Sequence, residues 1–405
     1  MDLSPVEMRS KELDVETWAE LLRPRLSVLS VCLSNSWGGL EQVAANDALE
    51  VASQGLKVRA LVLENSPIHE RLSDESGIHI IPLNYRPRNH FDLRLRGEIE
   101  RQIAQGVNLI HSHQTSTLGS IVPWLWSKGD IAMLATRHIL SDHHKKTFYH
   151  RAIYRRLDAL MVISRSVRRN VMMTHPIREK FIKVVNLGLD FDVFDPLRVD
   201  PSGMREEWGV DAETTVIGMV GRIDPAKGQA TLIKAAAGLL KSLKPNEKLK
   251  FVIVGEETLG SVGGYLDELR EMVSQFHLQE YVVFAGFQED IPAVMSALDV
   301  FVMPSRQEAF GLVAIEAMAM ECPIVISSGG SAQEIVGHDQ EFGLTMRAED
   351  AFDLQRQLRW MLDHSDARCQ MGKLAREHVM SNYDRKYRVQ KTLEIYDRCL
   401  RDRGV

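Results

Sequence analysis

Residues 215–240 of the 405-residue chain read TVIGMVGRIDPAKGQATLIKAAAGLL. The apolar, β-branched run at 215–220 predicts a buried strand, and the amphipathic stretch Gln229–Leu240 predicts a helix. The loop between them contains two glycines and a proline. A strand followed by such a loop and a helix is the repeating unit of a parallel sheet that is covered by helices on both faces.

The same alternation of strands and helices runs along nearly the whole chain. It is interrupted at residues 191–213, where prolines, glycines and acidic residues indicate a linker. After Ala351 only helical stretches follow. The predicted strands are Leu26–Leu33, Lys57–Leu63, Ile78–Leu83, Val107–His111, Met133–Arg137, Ala159–Ile163, Lys183–Val185, Thr215–Val220, Lys250–Gly255, Tyr281–Ala285, Val300–Pro304 and Pro323–Ser327. The pattern therefore predicts an α/β fold of two Rossmann-like, doubly wound domains.

Composition excludes several classes of protein. With 44% hydrophobic and 26% charged residues, the chain is typical of globular proteins, and its length corresponds to two or three domains at about 150 residues each. A net charge of −6 argues against nucleic-acid binding. The four cysteines are scattered and form no CxxC pair, which predicts neither a disulfide framework nor a zinc site.

The first 25 residues are charged and lack the apolar core of a secretory signal. No window approaches the ~18 apolar residues of a membrane span. We therefore expect a cytoplasmic protein, in contact at most with the surface of a membrane.

Two motifs in the second half place polar residues directly after strands. The loop Gly221–Gly228 offers free backbone N–H groups before a helix, together with Arg222 and Lys227, and this is the chemistry of a diphosphate site. Glu308 and Glu316 flank the start of another helix, where carboxylates suit the hydroxyls of a ribose or a sugar. The alternatives are a solvated surface loop, and a capping acid with a surface glutamate.

Two motifs in the first half follow strands in the same way. Gly38 and Gly39 allow a ligand to approach the backbone closely, although a simple tight turn has the same pattern. His111 and His113 lie on one face of a strand. We expect His111 to be structural and His113 to face a cleft. Other histidines follow at 138, 143, 144 and 150, but their spacing does not match a metal site.

Together these residues resemble the retaining glycosyltransferases of family 4, which have the GT-B fold of two Rossmann-like domains that face each other across a cleft. The resemblance covers about Leu26 to Val405. Its most specific parts are GRIDPAKG at 221–228, the pair Glu308 and Glu316 with the intervening FGL, and SSGGSAQEIV at 327–336. We expect an acceptor-side domain at 1–195 and a donor domain at 196–383. The resemblance implies that a final helix at 384–405 crosses back onto the first domain.

The resemblance also implies roles for these residues. Arg222 and Lys227 would hold the donor diphosphate, Glu308 the donor sugar, and His113 would lie beside that sugar; these four are the predicted catalytic residues. The predicted donor-binding residues are Gly38, Gly39, Gly255, Phe310, Gly311, Leu312 and Glu316. The sequence departs from the family pattern at Ala309, where glycine or proline is frequent, and at Glu257, where a second glycine is common.

The implied reaction transfers a sugar from a nucleotide diphosphate-sugar to a hydroxyl acceptor with retention at the anomeric carbon. We expect the acceptor to be a glycan or lipid-linked glycan of the cell envelope, as in lipopolysaccharide or exopolysaccharide biosynthesis. No cofactor or metal is expected, because the DxD sequence at 190–192 lies apart from the diphosphate loop. The alternatives are a non-hydrolysing sugar-nucleotide epimerase and a non-catalytic sugar-nucleotide-binding protein.

The stretch from His143 to Asn170 carries eight lysines and arginines and one acid, Asp158. Such a stretch suits a phosphorylated acceptor or an anionic membrane surface, here the inner face of the cytoplasmic membrane. A solvated helix whose cations meet acids elsewhere is the alternative. The predicted acceptor or membrane residues are Arg137, His138, Lys145, Lys146, Arg155 and Arg156.

Overall fold

The computed structural model describes residues 13–74, 77–87, 92–257 and 264–405. Residues 1–12, which are part of the N-terminal stretch predicted to lack a secretory signal, lie outside the described residues. The chain divides into two compact units. The first is formed by the chain up to Gly188 together with Arg385–Val405, and the second is formed by Leu189–Asp384. The predicted linker at 191–213 therefore belongs to the second unit.

The first unit contains a parallel sheet with helices between its strands. The described strands are β1 (Ser27–Cys32), β2 (Lys57–Leu63), β3 (Ile78–Leu83), β4 (Leu109–Ser112), β5 (Ala132–Arg137), β6 (Ala159–Val162) and β7 (Ile182–Val184). The helices are α1 (Val15–Leu22), α2 (Gly39–Ser53), α3 (Pro67–Ser73), α4 (Leu93–Ala104), α5 (Leu118–Ile121), α6 (Phe148–Arg155) and α7 (Arg165–Thr174). The strand order is β3-β2-β1-β4-β5-β6-β7. The central strands are buried throughout, as their unbroken apolar runs predict.

The second unit repeats this plan. Its described strands are β8 (Thr215–Val220), β9 (Leu249–Val254), β10 (Val282–Gly286), β11 (Val300–Met303), β12 (Ile324–Ser327) and β13 (Leu344–Met346). Its helices are α8 (Ser202–Glu207), α9 (Gln229–Leu240), α10 (Tyr265–Gln275), α11 (Ile291–Ala297), α12 (Leu312–Ala319), α13 (Ala332–Val336), α14 (Ala351–Asp363) and α15 (Ser365–Asn382). The order is β10-β9-β8-β11-β12-β13, and all pairs are parallel. The sequence missed β13, which is only three residues long.

The last helix, α16 (Arg385–Asp402), belongs to the first unit although the whole second unit precedes it in sequence. Its apolar residues recur every three or four positions, and Leu393, Tyr396 and Leu400 are buried against the first sheet together with α1. In the described part of the chain, no helix is long and apolar enough to cross a lipid bilayer.

The chain order reverses beside the first strand of each unit, since β1 lies between β2 and β4, and β8 lies between β9 and β11. Ligands of doubly wound sheets bind at the carboxyl ends of the strands beside such a reversal. The loops after β1 and β4 carry Gly38, Gly39 and His113, and those after β8 and β11 carry Lys227 and Glu308. The fold thus places the predicted motifs where each sheet is suited to bind a ligand.

Candidate functional site

In the second unit, the loop from Gly221 to Gly228 connects β8 to α9. Gly228 has a φ of 83°, and a Cβ atom there would lie 2.3 Å from the carbonyl oxygen of Pro304, so this position requires glycine. The buried Gln229 side chain donates a hydrogen bond of 2.7 Å to the carbonyl oxygen of Arg222, which fixes the loop on the helix. The Arg222 side chain itself is exposed.

Lys227 and Glu308 lie on different loops and form an ion pair. The distance from Lys227 Nζ to Glu308 Oε2 is 2.9 Å, and the two side chains are 31% and 22% exposed. The sequence assigned Lys227 to the donor diphosphate and Glu308 to the donor sugar. The two side chains are adjacent, and both are accessible to a ligand. The sequence alone did not indicate this contact.

The loop that carries Glu308 is held by the segment after β12. Ser331 Oγ donates to the carbonyl oxygen of Phe310 at 2.7 Å, and the Ser331 amide donates to that of Glu308 at 3.1 Å. Gly330 has a φ of 64°, and a Cβ atom there would lie 1.9 Å from the Glu308 carbonyl oxygen. The Phe310 ring is buried against Tyr383, at 5.7 Å between centroids. The SSGGSAQEIV segment thus positions Glu308, a role that the sequence did not assign.

Gly255 joins the loops after β8 and β9. Its φ is 132°, and a Cβ atom there would lie 2.0 Å from the carbonyl oxygen of Gly221, so the two loops touch through their backbones. Nearby, Glu257 Oε1 accepts a hydrogen bond of 3.0 Å from the amide of Leu266 in the first turn of α10. Glu257, which departs from the family pattern, therefore caps a helix.

Glu316 lies inside α12, which begins after Gly311 in the left-handed conformation, with a φ of 85°. Leu312 is the first residue of that helix. The Glu316 carboxylate is partly buried, and burial raises its pKa to about 7. Among the described residues we find no hydrogen bond or ion pair to this carboxylate, which suits a group that accepts hydrogen bonds from ligand hydroxyls.

We expect nucleotide binding to release a proton from Glu316 near pH 7. Ribose hydroxyls that donate to the carboxylate favour its ionised form, which lowers the pKa from about 7. Calorimetric titration at pH 6.5–7 should give a binding enthalpy that depends on the ionisation enthalpy of the buffer, and this dependence should disappear by about pH 8.5. Glu316→Gln should bind the nucleotide without this dependence on the buffer. A buffer-dependent enthalpy that persists in Glu316→Gln would assign the proton to another group.

The same raised pKa has a consequence for stability without ligand. The folded protein holds the Glu316 proton more tightly than the unfolded chain does, so this group lowers the free energy of unfolding as the pH rises from about 4.5 to about 7.

In the first unit, Gly38 directly precedes α2, and Gly39 is the first residue of that helix. The Gly38 amide donates to Glu41 Oε2 at 3.0 Å, and Ser34 Oγ donates to Glu41 Oε1 at 2.6 Å, so the buried Glu41 holds the turn. A Cβ atom on Gly39 would meet no atom within 4 Å. One face of this turn is therefore open at the N-terminus of a helix.

His111 and His113 lie side by side at the end of β4, with ring centroids 4.1 Å apart. His111 is structural, as predicted: Nδ1 lies 2.8 Å from the Tyr396 hydroxyl and Nε2 lies 2.7 Å from Thr136 Oγ1. His113 is buried, and burial lowers its pKa to about 4, so it is neutral at pH 7. Its ring stacks on His138 at 5.9 Å.

A buried ion pair lies beside His113 and joins α2 to α16. Arg388 donates to both oxygens of Asp47, at 2.8 and 2.7 Å, and to the carbonyl oxygens of Val185 and Asn186. Asp47 Oδ2 lies 3.9 Å from His113 Nδ1. The sequence does not indicate this contact, because its partners are separated by most of the chain.

The predicted acceptor or membrane residues differ in their exposure. Lys146 and Arg155 are exposed, Lys145 is half-buried, and Arg137 and His138 are buried. Arg156 does not fit the prediction. Its guanidinium is buried and donates to the carbonyl oxygens of Leu125, Lys128 and Ile131 at 3.1, 2.9 and 2.7 Å. Arg156 therefore holds the segment before β5 and is not available to an acceptor or a membrane.

Two doubly wound parallel sheets in one chain, each with polar loops at its reversal of strand order, define the GT-B class of α/β proteins. The sequence matches the family Glycosyl transferases group 1 over residues 202–378 and Glycosyltransferase Family 4 over residues 37–193. The two matches together span most of the chain. The chain belongs to the family 4 glycosyltransferases, and it is therefore a glycosyltransferase.

Individual relatives agree with this assignment. The chain is 26% identical to the D-inositol 3-phosphate glycosyltransferase of Corynebacterium aurimucosum, over 85% of this chain and 88% of the relative. Among solved structures, it is similar to a glycosyltransferase from Rickettsia africae, with a TM-score of 0.83, 20% identity and coverage of 93% and 99%. It is also similar to Anabaena Alr3699/HepE in complex with UDP and glucose, with a TM-score of 0.79, 21% identity and coverage of 92% and 100%. These structures share the fold that the sequence predicts.

Proposed function

We propose that the protein is a retaining glycosyltransferase that moves a sugar from a nucleoside diphosphate sugar to an acceptor hydroxyl. The contact between Lys227 and Glu308 carries this proposal. It places a cation suited to a diphosphate within 2.9 Å of a carboxylate suited to sugar hydroxyls, at the reversal of strand order of the second sheet. Glu316, on the helix that follows Glu308, supplies a second carboxylate for the ribose.

In the proposed reaction, the acceptor oxygen attacks the anomeric carbon on the face from which the diphosphate departs. The bond between that carbon and the diphosphate oxygen breaks, and the departing phosphate oxygen takes the acceptor proton. Arg222, Lys227 and the N-terminal amides of α9 stabilise the negative charge that grows on the diphosphate. His113, which is neutral at pH 7, is suited to a hydrogen bond with the donor sugar.

The acceptor of the proposed reaction is a hydroxyl compound. The sequence favours a glycan or glycolipid of the cell envelope, reached by a protein on the inner face of the cytoplasmic membrane. The Corynebacterium relative is named for D-inositol 3-phosphate, which makes a phosphorylated polyol the second candidate.

A screen of nucleotide sugars tests the proposed function. UDP-, GDP- and ADP-sugars are added to the protein in a thermal-shift assay, since a ligand at about 100 times its Kd stabilises the folded state by about 2.7 kcal/mol. Each donor that binds is then incubated with glycerol 3-phosphate, inositol phosphate and envelope glycans. Formation of an α- or β-linked product that keeps the anomeric configuration of the donor supports the proposal. Epimerised sugar and nucleotide without acceptor would support an epimerase, and binding without turnover a non-catalytic protein.

Transfer should persist in EDTA. The basic side chains of Arg222 and Lys227 face the diphosphate in the proposed reaction, where other transferases use a metal ion. The DxD sequence lies in a turn, where Asp190 Oδ1 accepts a hydrogen bond from the amide of Asp192. Initial rates are compared in 5 mM EDTA and in 5 mM Mg²⁺ or Mn²⁺. Loss of transfer in EDTA that either ion restores would disprove the metal-free mechanism.

A further inference from the structure

A group of polar side chains at the carboxyl end of the first sheet has no role in the donor site. Arg137 is the last residue of β5, Thr115 follows β4, and Lys145 lies in the loop after β5. His175 ends α7, which follows β6. Because β4 and β5 are neighbours in the sheet, Arg137 and Thr115 come from adjacent strand ends. The Lys145 amide donates to the carbonyl oxygen of Thr174, which brings Lys145 next to His175.

Arg137 is buried, with 7% of its surface exposed, yet no carboxylate of the described residues forms an ion pair with it. It donates to Thr115 Oγ1 at 2.7 Å and to the carbonyl oxygen of Leu140 at 3.3 Å, and its Nε has no partner in the described part of the chain. A guanidinium has five N–H donors, so most of them remain available. Burying a cation without a counter-charge lowers the free energy of unfolding unless an anion binds beside it.

A second cation lies beside Arg137 and increases this cost. Lys145 is half-buried, and burial together with the charge of Arg137 lowers its pKa. The loop that carries Lys145 is fixed, because its amide donates to the Thr174 carbonyl oxygen at 2.7 Å and Asn170 holds Ser141 through two hydrogen bonds. Both cations are thus held in place without a carboxylate partner among the described residues.

Two neutral imidazoles lie next to this cationic group. His175 is buried, and burial, followed by the charges of Arg137 and Lys145, lowers its pKa to about 3. Thr174 Oγ1 donates to the Asn170 carbonyl oxygen, so His175 Nδ1 donates to Thr174 Oγ1 at 2.7 Å. In the neutral ring Nε2 is then an acceptor, and it has no partner among the described residues. His138 Nε2 is likewise buried and unpartnered in the described chain. Three buried polar atoms without hydrogen-bond partners, Arg137 Nε, His138 Nε2 and His175 Nε2, thus lie in one region and indicate a site for a polar ligand.

We propose that Arg137 and Lys145, beside His175, bind a phosphoryl group of the acceptor. A tetrahedral dianion matches two adjacent cations and accepts hydrogen bonds from Arg and Lys N–H groups. His138, next to Arg137, stacks on His113, which the family resemblance places beside the donor sugar. In assigning the group to the acceptor, the inference rests on the proposed function. The phosphoryl group belongs to a small phosphorylated polyol or to a lipid headgroup.

Binding of inorganic phosphate to the full-length protein tests the site. To remove binding at the donor loop, calorimetric titrations in a phosphate-free buffer use the Arg222→Ala/Lys227→Ala background. Arg137→Met and Lys145→Met are each expected to weaken phosphate binding about tenfold to a hundredfold, the effect of losing a charge-assisted hydrogen bond. Lys57→Met is the matched control, because Lys57 is an exposed lysine at the amino end of β2.

Lys145→Met keeps the test valid if Arg137→Met does not fold, since Lys145 lies in a loop. Glycerol 3-phosphate and vesicles that contain phosphatidic acid are then compared. Binding of the first indicates a small acceptor, and binding of vesicles alone indicates a lipid headgroup. Equal phosphate affinity in the wild type, Arg137→Met and Lys145→Met, or no binding of any probe, would overturn the site. Phosphate binding without transfer from any donor would instead reject the proposed function and leave the site intact.

Discussion

Replacing Lys227 with alanine should lower turnover by about 10²–10³-fold while the protein stays folded. The proposed reaction develops negative charge on the departing diphosphate, and removal of one group that stabilises such charge typically has an effect of this size. Lys227 should be more sensitive than Arg222, because its loss leaves the Glu308 carboxylate, 2.9 Å away, without a counter-charge beside the diphosphate. Initial rates with a donor from the nucleotide-sugar screen measure the effect.

The ion pair makes this prediction specific. In Lys227→Ala/Glu308→Gln the repulsion between the carboxylate and the diphosphate is removed, so its donor KM should be lower than that of Lys227→Ala. Lys234→Ala is the control, since Lys234 is exposed on α9 and outside the loop. Turnover like that of the wild type in Arg222→Ala/Lys227→Ala would reject the assignment of the diphosphate site.

Some helices and strands are encoded by the local sequence alone. The helix Gln229–Leu240 and the strands 57–63 and 78–83 have the predicted bounds, because apolar periodicity within each segment determines them. The strand β13 was missed, because three residues are too few to show a period. The segment 202–207, which the sequence assigned to a linker, contains α8.

Contacts between distant segments determine the rest of the candidate site. The sequence identified Lys227 and Glu308 as separate motifs, but only the order of β8 and β11 in the sheet brings their loops together. The role of Ser331 depends on a hydrogen bond to a carbonyl oxygen, which any residue type can supply, so its partner carries no sequence signal. Arg156 was assigned to a basic surface because its neighbours in sequence are basic, whereas its partners are backbone carbonyl groups and the Asp158 carboxylate.

Replacing Asp47 or Arg388 with alanine should destabilise the first unit by about 3–5 kcal/mol. The two side chains are 4% and 5% exposed and are joined by two hydrogen bonds, so removal of one leaves the other as an unpaired buried charge. Arg388 also holds the carbonyl oxygens of Val185 and Asn186, which anchor α16 to the chain after β7.

Hydrogen–deuterium exchange separates this local effect from global unfolding. Exchange in α16 and β1 should accelerate in either single variant, while exchange in β8 and β9 of the second unit should stay as in the wild type. Arg398→Ala is the control on the same helix, because Arg398 is exposed, and it should change the stability by less than about 0.5 kcal/mol.

In Asp47→Ala/Arg388→Ala no unpaired charge remains, so the double variant should lose less stability than the sum of the two single variants. Strictly additive losses, or single variants that exchange like the wild type, would show that the pair does not hold α16 on the first sheet.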